Sequence, residues 1–304
     1  MNSYDFQGEI QERLKEMSRK EIAFFAWLCA VKALPFIIVK DNFNYWKKDR
    51  KKCLYTLFHT LDLCIHFYNN SAATYAYAAT ENAAYDAILV GDDAAHTARD
   101  IDDRANNAFI RACNAGTTAA DNKAATAAYD ATRYAVSRAH SYAHATYTVG
   151  YAAFAAAAKD AASAVHNAAI AATYAATAAI CVADAATYLT FITTTDEVTD
   201  GVTVIMQEIL LKDLEDIQNG SKISNNCLNN SNLNMLWYSK IWNNFQITLR
   251  EENCSYWGDL YKDIFYNFFE VDKDALERRI NVPSDIQKQG AVIVANYLEK
   301  FGKR

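Results

Sequence analysis

Two histidines four residues apart, His140 and His144, are the sharpest chemical signal in this chain of 304 residues. On a helix that spacing puts both imidazoles on one face, where they could share a zinc, copper or iron ion. A catalytic centre would also need a third ligand and a general base nearby. Neither follows in sequence, because the residue after His140 is Ser141 and no HExxH motif is present. The plainer expectation is that both rings bond tyrosine hydroxyls and carboxylates, so the pair is a metal candidate and no cofactor is assigned.

A second cluster gathers Asp92, Asp93, Asp100, Asp102 and Asp103, with His96, Arg99 and Arg104 between them. Arg99–Asp103 and Asp100–Arg104 have the i,i+4 spacing that decorates a solvated helix face. Paired carboxylates could also hold a divalent cation or meet a basic partner. No glycine-rich phosphate loop, GxSxG elbow or Cys–His arrangement is present. Seven scattered cysteines without a CxxC pair indicate neither a zinc ribbon nor a disulfide framework, which fits a reducing, cytoplasmic setting.

These residues must be positioned by an unusual stretch, Ser71 to Ile192, which has no proline and only Gly91, Gly116 and Gly150 as glycines. It is dense in alanine, the best helix former, so it reads as helices over 72–89, 92–114, 118–148 and 151–192, with the last able to bend near Asp160. Thr118 with Asp121 is a candidate capping pair for the third. From Gly150 through Phe154, Ala157, Ala161, Ala164, Ala168, Ala171, Ala175, Ala178 and Val182 to Ala185 and Leu189, steps of four and three alternate. That is a heptad seam of small side chains, allowing close approach of helix axes. Tyr129, Tyr134, Tyr142, Tyr147, Tyr151, Tyr174 and Tyr188 would fill its margins.

Before this stretch, Ser18 and Glu21 form a capping box that starts a helix. Pro35 stops it, and Phe36 to Val39 is expected to be an extended connector. The segment 22–39 is apolar enough to suggest a membrane span. Lys32 within it would cost about 2.5–3.5 kcal/mol on insertion, so a buried core helix is the expectation. A further helix should run from about Trp46 to Tyr68. The basic run over 46–52 reads as a solvated helix start, and with a net charge of −6 the chain offers no nucleic-acid footprint. After the alanine stretch, Thr193 to Glu197 should turn into a helix from about Val198 to Gln218. Residues 219–234, rich in Asn and Ser, read as a linker. A four-helix, aromatic-rich unit over 235–304 follows, capped in part by Asp272 and ending in one helix from Pro283 to Phe301.

The early Ala30-Val31-Lys32-Ala33-Leu34-Pro35 segment, the Ala135–His144 helix with its AxxxAHxxxH pattern and the Gly150-Tyr151-Ala152-Ala153 run resemble the alanine-rich helical immunity proteins found beside bacterial polymorphic toxins. The resemblance spans roughly residues 20 to 160. Trp257-Gly258-Asp259-Leu260-Tyr261 and Ala275-Leu276-Glu277-Arg278-Arg279 look like a tail sometimes attached to such proteins. The resemblance implies inhibitory binding of a protein.

The expectation is an all-α protein: a long antiparallel bundle or stack in residues 1–218, a linker, and a small C-terminal helical unit. Its function would be non-enzymatic binding of a basic protein, such as a toxin or defence protein, in a bacterial or phage conflict system. Contact groups would be Asp92, Asp93, Asp100, Asp103, Tyr129, Tyr134, Trp237 and Trp257. The alternatives are a metal-dependent helical enzyme built on His140 and His144, or a protein that associates with its own copies through the alanine seam.

Overall fold

The computed structural model describes residues 2–38, 43, 46, 50–69, 74–115, 119–189, 196–220, 233–267 and 272–301. The expected break at Gly116, the Thr118 cap, the turn at Thr193 and most of the linker lie outside them. So do the side chains of Asp121, Tyr129, Tyr188 and Trp237. Among the described residues the chain forms twelve α-helices and no strand, an all-α fold.

Helix α1, Ser3–Leu14, sits in a stretch whose polar character concealed it. Its N-cap is Asn2, whose side chain accepts the backbone N–H groups of Tyr4 and Asp5, and it buries Phe6, Ile10 and Leu14 at steps of four. Helix α2, Arg19–Ala33, starts at the capping box, with both reciprocal bonds between Ser18 and Glu21 formed. It is buried on nearly every side and lies against α3, α5, α6 and α7, so it is the core helix that its apolar sequence implied. Its Lys32 reaches the buried carboxylate of Asp213 in α7. The extended connector expected from Phe36 begins later: Leu34–Ile37 form a buried 3₁₀ turn, Ile38 is extended, and Val39 lies outside the described residues. Pro35 stands at the start of that turn, where its fixed φ suits a helix and its missing N–H costs no bond.

Helix α3 (Arg50–Asn69) is followed by the three long alanine-rich helices: α4 (Thr74–Ala115), α5 (Ala119–Ala157) and α6 (Ala161–Leu189). The breaks expected at Gly91 and Gly150 do not occur, and both glycines lie inside helices. A helical glycine costs about 1 kcal/mol against alanine, so each must be offset by packing. A Cβ on Gly91 would fall 2.6 Å from Thr146 Oγ1, and one on Gly150 would fall 2.6 Å from Ile88 Cγ1. Each glycine is the notch through which α4 and α5 touch. The break falls instead at 158–160, where Asp160 accepts the Ser163 N–H at 2.7 Å and caps α6.

Contacts between α4 and α5 pair Asp102 with Arg133, Asp92 with Tyr147 and Tyr85 with Phe154, rising on one helix as they fall on the other. From α5 to α6, Ser141 Oγ donates to Ala178 O at 2.8 Å and His144 stacks on Tyr174. The alanine seam is buried from Ala164 to Val182. A second row, Ala169, Ala172, Ala176 and Ala179, is buried as well, because α6 has neighbours on more than one side.

Helix α7 (Asp196–Gln218) ends at Gly220, whose φ of +61° closes the turn. The C-terminal helices are α8 (Leu233–Glu251), α9 (Ser255–Asn267), α10 (Lys273–Ile280, capped by Asp272), α11 (Ser284–Gln287) and α12 (Ala291–Glu299). The single last helix expected from Pro283 is split in two. Gly290 has φ +88°, and a Cβ there would meet the Lys51 carbonyl carbon at 2.8 Å. One hydrophobic cluster runs from Phe6 in α1 to Leu298 in α12, so the C-terminal helices share a core with α3.

Candidate functional site

The sequence offered Trp257 as a surface contact, and the structure corrects this. Trp257 is fully buried, stacks on Phe58 with centroids 4.9 Å apart, and donates its indole N–H to Ala291 O at 3.2 Å. A helix period that places aromatics on one face cannot say whether that face meets solvent or another helix.

His140 and His144 share one face of α5, ring centroids 6.4 Å apart. His144 stacks on Tyr174 of α6 at 5.4 Å, and Tyr147 lies 5.3 Å from the same ring. Tyr151 also stacks on Tyr174 at 5.5 Å and meets Phe154 at 6.1 Å; Phe154 in turn makes an edge-to-face contact with Tyr85 on α4 at 4.9 Å. Seven rings on three helices thus form one continuous ladder. Six are half-buried and Tyr85 is more than half exposed. In the sequence Tyr147, Tyr151 and Tyr174 stood only as margin fillers, and Tyr85 was not singled out. The i,i+4 step from Tyr147 to Tyr151 was legible, but Tyr85 and Tyr174 join it only through the helix pairings.

Charge is tied down around the ladder. Tyr147 Oη donates to Asp92 Oδ1 at 2.7 Å, and Arg133 pairs with Asp102 across the α4–α5 contact at 3.4 Å. Asp92 and Asp102 therefore act first as ties between helices. Asp93, Asp100 and Asp103 are exposed on α4, and Tyr134 is half-buried on α5.

Burial drives His144 down to about 4, with His140 adding to the effect; its buried Nδ1 has no hydrogen-bond partner. His140 is also lowered, first by burial and then by Arg133 and Arg99 against the opposing pull of Asp102. Tyr147 is raised by burial and by its bond to Asp92, and Tyr174 by burial and by Tyr151. At His140, His144, Tyr147 and Tyr174 the shifts all favour the uncharged ring. Among the described residues, no group of three or more His, Cys, Asp or Glu side chains is arranged to hold a metal, so the histidine pair lacks a third donor there.

Among the described residues one helical stretch, Ala161–Val182, is long and apolar enough to cross a membrane, but more than half of it is buried inside the protein. No protein-family model, no curated protein and no solved structure matches this chain.

Proposed function

We propose that the chain is a non-enzymatic protein-binding module, of the immunity or inhibitor type in a bacterial or phage conflict system, that acts by occluding a basic partner protein. The observation that carries this reading is the ring ladder from His140 to Tyr85. Aromatic side chains dominate binding energy at interfaces because they bury much area while losing few rotamers. Here each ring is held by its neighbours before any partner arrives, which lowers the ordering cost of association. The ladder lies on long helices locked by small-residue contacts, and the exposed carboxylates Asp93, Asp100 and Asp103 on α4 favour a partner of opposite charge.

The test places a photo-crosslinking residue at position 174 in the full chain expressed in its native host. A single cross-linked protein, lost when Tyr151→Ala is added, is the expected result. No cross-link from position 174, together with a stoichiometric transition metal that His140→Ala removes from the purified protein, would overturn this reading in favour of a metal-dependent enzyme.

A further inference from the structure

The outer face of α4 carries an apolar strip with a one-sided charge rim. Tyr85 is 55% exposed and Leu89 61% exposed, one turn apart. Exposed Asp86 and Asp93 and half-buried Glu81 flank them. At 3.6 residues per turn, Glu81, Tyr85, Asp86, Leu89 and Asp93 fall within about 140° of the helix circumference, so they form one face. No lysine or arginine occurs anywhere between Lys52 and Arg99, a span that carries Asp62, Glu81, Asp86, Asp92 and Asp93. The neighbouring part of α5 adds none, since no lysine or arginine occurs between Arg138 and Lys159. Tyr85 is already set edge-on against Phe154 at 4.9 Å, so the strip's aromatic anchor is fixed in place.

We infer that the Tyr85–Leu89 strip of α4 docks a basic amphipathic helix of a partner protein. Apolar side chains of that helix cover Tyr85 and Leu89, and its lysines or arginines meet Glu81, Asp86 and Asp93. An incoming helix suits the strip because its apolar i,i+3 and i,i+4 positions match the one-turn spacing of the two anchors. A second copy placed strip to strip would set Asp86 and Asp93 against their own counterparts, and an anionic membrane or nucleic acid would meet the same repulsion. The inference rests on the protein-binding reading and deepens it by naming the strip and its partner's chemistry.

The probe is a labelled Lys/Leu amphipathic peptide of about 18 residues, five helical turns, with its Glu/Leu counterpart as control. Binding to the full chain is followed by fluorescence anisotropy. The Lys/Leu peptide should bind and the Glu/Leu peptide should not. Tyr85→Ala with Leu89→Ser should weaken binding about tenfold or more. Asp86→Asn with Asp93→Asn should flatten the loss of affinity between about 50 and about 500 mM salt. All four side chains are exposed, so the variants should keep wild-type helicity, and only Tyr85→Ala should lower the melting temperature slightly, through its lost contact with Phe154.

Equal binding of both peptides, or Lys/Leu binding untouched by the α4 variants, would overturn the strip while leaving the wider protein-binding reading intact. Failure of both peptides to bind would also overturn it, and the crosslink from position 174 then judges the wider reading separately. A dimer in solution that Leu89→Ser dissociates would overturn it in favour of self-association.

Discussion

Gly91 and Gly150 are reciprocal: each faces the other's helix, and each would drive a Cβ to 2.6 Å from a side-chain atom of its neighbour. Replacing either with alanine pits helix propensity, worth about 1 kcal/mol in favour, against overpacking that costs about 1–3 kcal/mol. Packing should prevail, because each Cβ meets several atoms at once: Thr146 Oγ1 and the Tyr147 ring within 2.9 Å at Gly91, and Ile88 Cγ1 with the Ala84 backbone oxygen within 3.1 Å at Gly150. Gly8 in α1, with nothing within 4 Å of its would-be Cβ, supplies the control. Urea titrations should therefore show Gly91→Ala and Gly150→Ala destabilised and Gly8→Ala slightly stabilised. The half-buried histidines His59 and His144 make a second prediction at this scale. Their ordinary pKa is 6.5, and burial lowers both to about 4. Between those values the unfolded chain binds more protons than the folded one. Their contribution is thus complete above about pH 6.5 and is lost as pH falls toward 4, by on the order of 3 kcal/mol each. Asp62 and Asp213, raised by burial, act in the opposite sense. Subtracting the pH–stability curve of His144→Gln from that of the wild type isolates the histidine's share, and a flat difference would contradict this account. The His140–His144 spacing was legible in sequence. The stacking of Tyr174 on His144 was not, since it depends on the register between two alanine helices that composition alone leaves open.

Element boundaries were legible where a side chain marks them. Ser18 with Glu21 announced α2, and Asp272 announced α10. They were misread where glycine was taken for punctuation, because a helical glycine and a helix-ending one look alike until a neighbour is present. The ties between elements were invisible for another reason: Lys32 finds Asp213 and Asp62 finds Arg279 across separations of 181 and 217 residues. The Asp62–Arg279 pair, 2.9 Å apart and almost wholly buried, fastens α10 to α3. Arg279→Met should cost about 3–5 kcal/mol, because it strands a buried carboxylate. Adding Asp62→Leu should recover most of that loss. If thermal or urea unfolding finds the double variant as unstable as the single, the pair contributes more than mutual neutralisation.

At the scale of the whole molecule, all-α architecture followed from alanine content and helical spacing, and the central role of α2 from its apolar run. The shared core was not legible, since the Asn/Ser-rich segment and the shift to aromatic residues after it suggested separate bodies. Trp257, Tyr261 and Arg279 instead complete the packing around α3: Trp257 stacks on Phe58, Tyr261 Oη donates to Phe58 O at 3.4 Å, and Arg279 holds Asp62. The short turn between α5 and α6 has a consequence of a different kind. Lys159 stands in it, exposed, and is the only lysine or arginine between Arg138 and Lys212. Brief trypsin treatment of the native protein should nick the chain there while sparing the long helices on either side. The two pieces should migrate together under native conditions, held by the alanine contacts between α5 and α6, and separate in denaturant. A nicked protein that falls apart without denaturant would show that those methyl contacts need the covalent turn to hold.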